Sequence, residues 1–365
     1  MNSATGGFDS HALPPLAPTA PAVTDSASTA AAQPAYELRA YAPGDEHAIL
    51  ATFNRVFARV DPNFVPRTLE EWRWRYEQNP AGRRLWIAVA PDGRVAAQYA
   101  GLPQRVRLEG APATFTQSVD SMLDPECRRG LGKQPLFVQL TWAWTDAYWG
   151  APPERDPLMW GLPVPAAWRI GQKQLRYEFL RTQAKLCARL DGLERPAAPG
   201  VEVESAPGIP PEIGELFERC AGEHAAIAVR DQRYLAWRFE RNPSQRYEYG
   251  LARRAGRIEG IAIFRAGEFD GVRDGLVCDW LAPRGDEAVG NALREWLAAR
   301  ARAAGCERLC AVFPDTSPEW LVFQRAGWRV RPTRYFAVGG AFLKKIDLRW
   351  LYKNWYYTLG DTDLC

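Results

Sequence analysis

The chain has 365 residues, and its 46 basic and 43 acidic side chains leave a formal net charge of +3. That length predicts two domains, each able to bury a core of its own. The near balance of charge excludes the strong basic field of a nucleic-acid binder.

Residues 1–34 are Ala, Pro, Ser, Thr and Gly with almost no large apolar groups, the composition of a disordered tail. The tail lacks the basic start and apolar segment of a signal peptide. No run of about 18 apolar residues follows anywhere, so no membrane span is expected. Alternation over 36–41 predicts a strand, and 45–60 a helix with Ile49, Phe53, Val56 and Phe57 on one face. A second helix over 68–78 stops ahead of Pro80, because proline disfavours helical geometry in the residue before it. Strands are expected at 84–90 and 94–108, turning at Asp92-Gly93, and then at 113–123. A loop over 124–133 leads into a helix ending near Tyr148. A short buried strand over 158–161, a helix over 165–173 and strands within 175–190 complete a first unit, residues 35–195.

Residues 196–200 read as a linker, and a second unit over 201–346 repeats the order. Its elements are a strand 201–206, helices 211–227 and 231–241, and strands 247–253, 257–265 and 272–281. A helix 287–304, a strand 308–313, a helix 317–326 and strands within 328–342 follow. Residues 347–365 form a C-terminal tail expected to be solvated, although Gly360-Asp361-Thr362-Asp363 also reads as a turn through which the tail could reach a cleft.

The repeat is visible residue by residue. Residues 67–99 and 230–262 align without a gap: Trp74-Arg75-Tyr76-Glu77-Gln78-Asn79-Pro80 against Trp237-Arg238-Phe239-Glu240-Arg241-Asn242-Pro243, with Arg67 against Arg230. The unit is too long for a solenoid, so two related domains stand in tandem. Features kept in both copies point to packing: Trp74 and Trp237 in the core, Arg75 and Arg238 paired with local carboxylates. The seven cysteines contain no CxxC pair, so reduced thiols in a cytoplasm are expected. With three histidines in the chain, a His-ligated metal site or a Ser-His-Asp triad is poorly supported.

Chemistry concentrates in the loop between strand 113–123 and the next helix. A helix N-terminus offers unpaired N–H groups and partial positive charge to phosphate. Gly130 and Gly132 allow close backbone approach, and Arg128, Arg129 and Lys133 add charge. The loop by itself suits a connecting turn equally well. Together with Val119-Asp120-Ser121-Met122-Leu123 before it and Trp160-Gly161-Leu162-Pro163 after it, the segment resembles the GNAT superfamily of acyl-CoA-dependent acetyltransferases. Phe313-Pro314 and Phe323-Gln324-Arg325-Ala326-Gly327-Trp328 resemble the same closing segment in the second unit.

The resemblance implies an α/β (α+β) fold of two tandem GNAT-like domains, each a mixed twisted sheet flanked by helices. It further implies acyl-CoA, acetyl-CoA first, bound by the first unit in a splay between strands 113–123 and 158–161. Backbone of Ser121, Met122 and Leu123 would hold the pantetheine arm, and Arg128, Arg129, Gly130, Leu131, Gly132 and Lys133 the phosphates. Setting Gly130 and Gly132 on the small-residue positions puts Cys127 where the family has Arg or Gln, and setting Arg128 there leaves the loop one residue short; either way the grip is altered. The equivalent loop of the second unit carries Asp286 and Glu287, whose charge would repel phosphate. That unit is expected to be degenerate and to wall the acceptor site. Asp120 is the candidate base, with a strand-edge structural role as the alternative. The tyrosine that the family often places on the helix after the fifth strand has no counterpart on 165–173, and Tyr177 falls on a strand. The expected function is transfer to a small-molecule or peptide amine or hydroxyl, by a monomer binding neither nucleic acid nor metal. A silent acyl-CoA-binding scaffold is the alternative.

Overall fold

The computed structural model describes residues 36–127, 135–193 and 198–365. The first half runs β1 (Glu37–Ala40), α1 (Glu46–Ala58), α2 (Leu69–Tyr76), β2 (Arg84–Val89), β3 (Val95–Leu108), β4 (Ala111–Leu123), α3 (Leu136–Tyr148), β5 (Leu158–Gly161), α4 (Pro165–Gln174) and β6 (Glu178–Arg189). Apolar periodicity builds its layers. Ile49, Leu50, Phe53 and Val56 of α1, with Trp72 and Tyr76 of α2, cover one face of the sheet. Leu136, Leu140 and Trp144 of α3 cover the other. Thr68 starts α2 with a capping box shared with Glu71. After the helix, Asn79 accepts the Ala81 N–H at 2.9 Å, which makes Asn-Pro a hydrogen-bonded turn.

The second half contains β7 (Glu202–Ala206), α5 (Ile213–Ala221), β8 (Ala226–Ala228), α6 (Gln232–Leu235), β9 (Glu248–Arg254), β10 (Arg257–Phe269), β11 (Val272–Leu281), α7 (Glu287–Ala303), β12 (Arg308–Ala311), α8 (Pro318–Arg325) and β13 (Arg329–Ala341). The chain then forms α9 (Leu348–Asn354) and β14 (Trp355–Tyr356). The helix expected over 211–227 ends at Ala221, because residues 226–228 leave it to pair with β3. The helix expected over 231–241 widens into a π-helical turn over Ala236–Glu240.

Among the described residues fourteen strands join one sheet, whose main path is β1-β2-β3-β4-β5-β13-β6-β12-β11-β10-β9-β7. Read from its two ends, β1-β2-β3-β4-β5 matches β7-β9-β10-β11-β12. The last strand of each half completes the other half: β13 pairs with β5, and β6 with β12. The closing strand expected within each unit is therefore exchanged between units. On the same pseudo-twofold axis, the Trp74 and Trp237 rings stack at 5.5 Å. Each indole N–H donates to the backbone carbonyl of the other at 2.7 Å.

Two expectations are corrected. Cys187 and Cys310 form a disulfide, because the exchange sets them directly opposite on β6 and β12. The C-terminal segment is buried: Trp355, Tyr356, Tyr357 and Leu359 join the largest apolar cluster, where Trp355 meets Phe115 and Trp160 edge-on. Aromatic area of that size is too costly to leave in water.

Candidate active site

Strands β4 and β5 run parallel from Phe115–Leu158 to Ser118–Gly161, and there the pairing stops. On the far edge of β4, Gln98 faces Met122 but Ala100 faces Val119, so Asp120 and Ser121 together oppose Tyr99. Asp120 takes φ +51° in this bulge, and a bulge bends its strand. The bend opens a cavity of about 310 Å³ bounded by β4, β5, α3, α4 and the incoming β13. Among its lining residues are Ser118, Asp120, Ser121, Trp160, Tyr177 and Asp363. The opening lies between the two strands where the family resemblance implied a splay.

Asp120 is a committed carboxylate. It accepts from both terminal nitrogens of Arg67, from Tyr76 Oη at 2.5 Å, and stands 3.7 Å from Arg75. Burial opposes ionisation, but Arg67 and Arg75 outweigh it and hold Asp120 well below the usual aspartate range. Asp279 repeats the arrangement in the second half, accepting from Arg230 at 3.1 Å. The Asp120 carboxylate is thereby tied to Arg67 and Tyr76 at the bulge.

Of the other expected cofactor contacts, Ser121 lines the cavity. Met122 and Leu123 pair with Gln98 and Ala97 of β3, and neither lines it. Arg128, Arg129, Gly130, Leu131, Gly132 and Lys133 lie outside the described residues. Arg75 approaches a carboxylate as expected, whereas its repeat partner Arg238 donates to the carbonyls of Gly360, Thr362 and Cys365 instead.

Tyr177 and Asp363, both noted in the sequence without a place in the site, also line the cleft. Tyr177 follows Arg176, which takes φ +56° after α4 and turns the ring back over the helix. A side chain at Gly171 would overlap that ring. The Tyr177 and Tyr99 hydroxyls hydrogen-bond to each other beside Ser118. Burial, reinforced by Tyr99, pushes the Tyr177 hydroxyl well above the ordinary tyrosine value, so it stays a donor. Asp363 comes from the C-terminal segment and accepts from Gln117 Nε2 at 2.5 Å. The protein packed around it, together with the Asp120 charge, raises its carboxyl above the usual aspartate value despite Arg75 and Gln117. It keeps solvent access because it also borders a second, polar cavity of about 570 Å³ between the halves. A periodicity-based reading had no means of showing that residue 363 returns to β4.

The second half has a counterpart cavity of about 540 Å³ between α7 and α8, with Trp328 where the first half has Tyr177. Here the C-terminal segment occupies the opening of β11. Tyr356 Oη donates to the Trp280 carbonyl at 2.7 Å, and Gly360 lies so close to the Cys278 carbonyl that a Cβ would approach it to 2.7 Å. Asp286 caps α7 through the Val289 N–H and pairs with Arg254 at 2.8 Å. The strand edge and the helix end are both already engaged.

Residues 37–136 match the family model described as "Acetyltransferase (GNAT) domain". The chain carries the GNAT fold in tandem. A probable N-acyltransferase from Enterococcus faecalis V583 superposes with a TM-score of 0.62 at 14% identity, over 84% of this chain and 72% of that one. A tandem GNAT protein from the clavulanic acid biosynthesis pathway gives 0.51 at 17% identity, over 85% and 99%. The N-myristoyltransferase of Saccharomyces cerevisiae with bound myristoyl-CoA gives 0.51 at 12%, over 85% and 84%. No curated relative matches the sequence. In GNAT terms, the two halves share one doubled sheet. No described helix is long and apolar enough to cross a membrane.

Proposed function

We propose that the protein is an acyl-CoA-dependent acyltransferase, acetyl-CoA being the first candidate, with the cofactor held by the first half alone. The observation that carries this reading is the meeting of two cavities at Asp363: the apolar cleft beside β4 and the polar cavity between the halves. A thioester donor needs the first and an acceptor the second. The unpaired edge of β4 from Val119 to Ser121 would hold the pantetheine arm, and the loop containing Gly130 and Gly132 the phosphates. The bound cofactor supplies an acyl group on an activated thioester carbonyl.

The protein's part is positioning and proton handling. Asp363 takes a proton from the attacking nitrogen or oxygen, helped by a carboxyl value raised above the usual aspartate range by burial. The Tyr177 hydroxyl, kept protonated, donates a hydrogen bond to the departing sulfur. Net, a carbon–nitrogen or carbon–oxygen bond replaces the carbon–sulfur bond, and one proton passes from acceptor to sulfur through solvent.

Titration calorimetry with acetyl-CoA tests the reading. Binding near one equivalent, lost in Gly132→Glu, is expected. Silence with acetyl-CoA and with longer acyl-CoAs alike would leave the fold without the chemistry.

A further inference from the structure

The cavity between the halves says more about the acceptor than the cleft does. Its walls include Arg67, Arg75 and Glu71 from the first half and Arg265 and Arg273 from the second, with Asp363 at its inner end. Arg67 is spent on Asp120, and Glu71 on Thr68 and Ser244. Arg75 differs. It stands 3.7 Å from Asp120, beyond hydrogen-bond range, and has no hydrogen-bond partner among the described residues. A guanidinium with five donors, only 18% exposed, needs oxygen acceptors.

The repeat shows what such an arginine holds. Arg238, in the same place in the second half, gives its donors to the oxygens of Gly360 and Thr362 at 2.8 Å and of Cys365 at 3.1 Å. The chain's own C-terminal segment is the occupant there. Among the described residues, no backbone oxygen plays that part for Arg75. Across the cavity, Arg265 is 9% exposed; its Nη1 donates to Gln245 at 2.8 Å, and its Nε has no partner. Two largely buried cations with unspent donors thus share one cavity, whose inner end is a proton acceptor.

We propose that this cavity takes a primary amine bearing a carboxylate, with the carboxylate held by Arg75 and Arg265 and the nitrogen reaching Asp363. The inference rests on the acyltransferase reading for the reaction but not for the binding. In the reaction the nitrogen bonds to the thioester carbon, the carbon–sulfur bond breaks with its electron pair on sulfur, and Asp363 takes the nitrogen's proton. A charged arginine–carboxylate pair in a partly desolvated site accounts for the expected preference.

The test is calorimetric binding without cofactor, using ω-amino acids from glycine to 6-aminohexanoate, each against the alkylamine of matching length. At least one amino acid should bind about tenfold or more tighter than its amine. Arg75→Gln should abolish that preference, Arg265→Gln should reduce it, and Arg75→Lys should keep part of it. Equal binding within every pair would overturn the proposal, as would a preference that survives Arg75→Gln. Tighter binding of the matched aminoalkylphosphonates would overturn the carboxylate in favour of a phosphoryl group. Acetyl-CoA titration is read separately, so failure of the cofactor reading and failure of the acceptor inference give different results.

Discussion

In the proposed reaction, Asp363 takes the role of base that the sequence reading placed on Asp120. The two carboxylates are neighbours, yet arginines hold Asp120 ionised while its charge helps to raise Asp363. Asp363→Asn should lower turnover by about 10²–10⁴-fold with acetyl-CoA binding unchanged. A base works only when deprotonated, so kcat/KM should fall as pH drops through the raised Asp363 value. The acidic limb should therefore lie above the ordinary aspartate range and vanish in Asp363→Asn; a limb that persists in the variant would assign the base elsewhere. Asp120 behaves in the opposite sense. Its folded-state value is depressed, so its ion pair stabilises the protein above the unfolded aspartate value, and that contribution is lost as pH falls towards the folded value. Asp120→Asn should cost about 3–5 kcal/mol in urea unfolding, because Arg67 is left buried without its counter-charge. Both residues were visible in the sequence. Their roles were not, since a role depends on Arg67 and Arg75 arriving from α2 and its entry.

At the scale of elements, the C-terminal segment does the work of a strand and a plug. Trp355 and Tyr356 pair with β8, and Tyr356 then reaches the Trp280 carbonyl. Tyr356→Ala should cost about 3–5 kcal/mol by loss of buried aromatic area. A change under about 1 kcal/mol in the denaturation midpoint analysis would restore the solvated tail. The repeated helices were legible to within a few residues because a capping box and Asn-Pro are local signals. β8 was not, since three residues of strand carry no period of their own and form only between β3 and β14.

For the whole molecule, strand exchange makes the halves interdependent. Residues 35–195 produced alone would lack β13, exposing the edge of β5 and one wall of the cleft. They should show no cooperative unfolding transition, whereas the intact chain should melt in a single calorimetric step. Two separated transitions in the intact chain, or a folded isolated half, would argue against the exchange.

The sequence alone determined the doubling and the order of elements, since both are written in local periodicity, turn residues and a gapless repeat, while the place of the splay followed from the family resemblance. Only the tertiary structure decided which strand closes which half, that Cys187 meets Cys310, and that Asp363 lies beside Asp120. Those are contacts between residues far apart in the chain. They are selected by burying the aromatic C-terminal segment and by satisfying the strand edges left open, and no single stretch of sequence contains both partners.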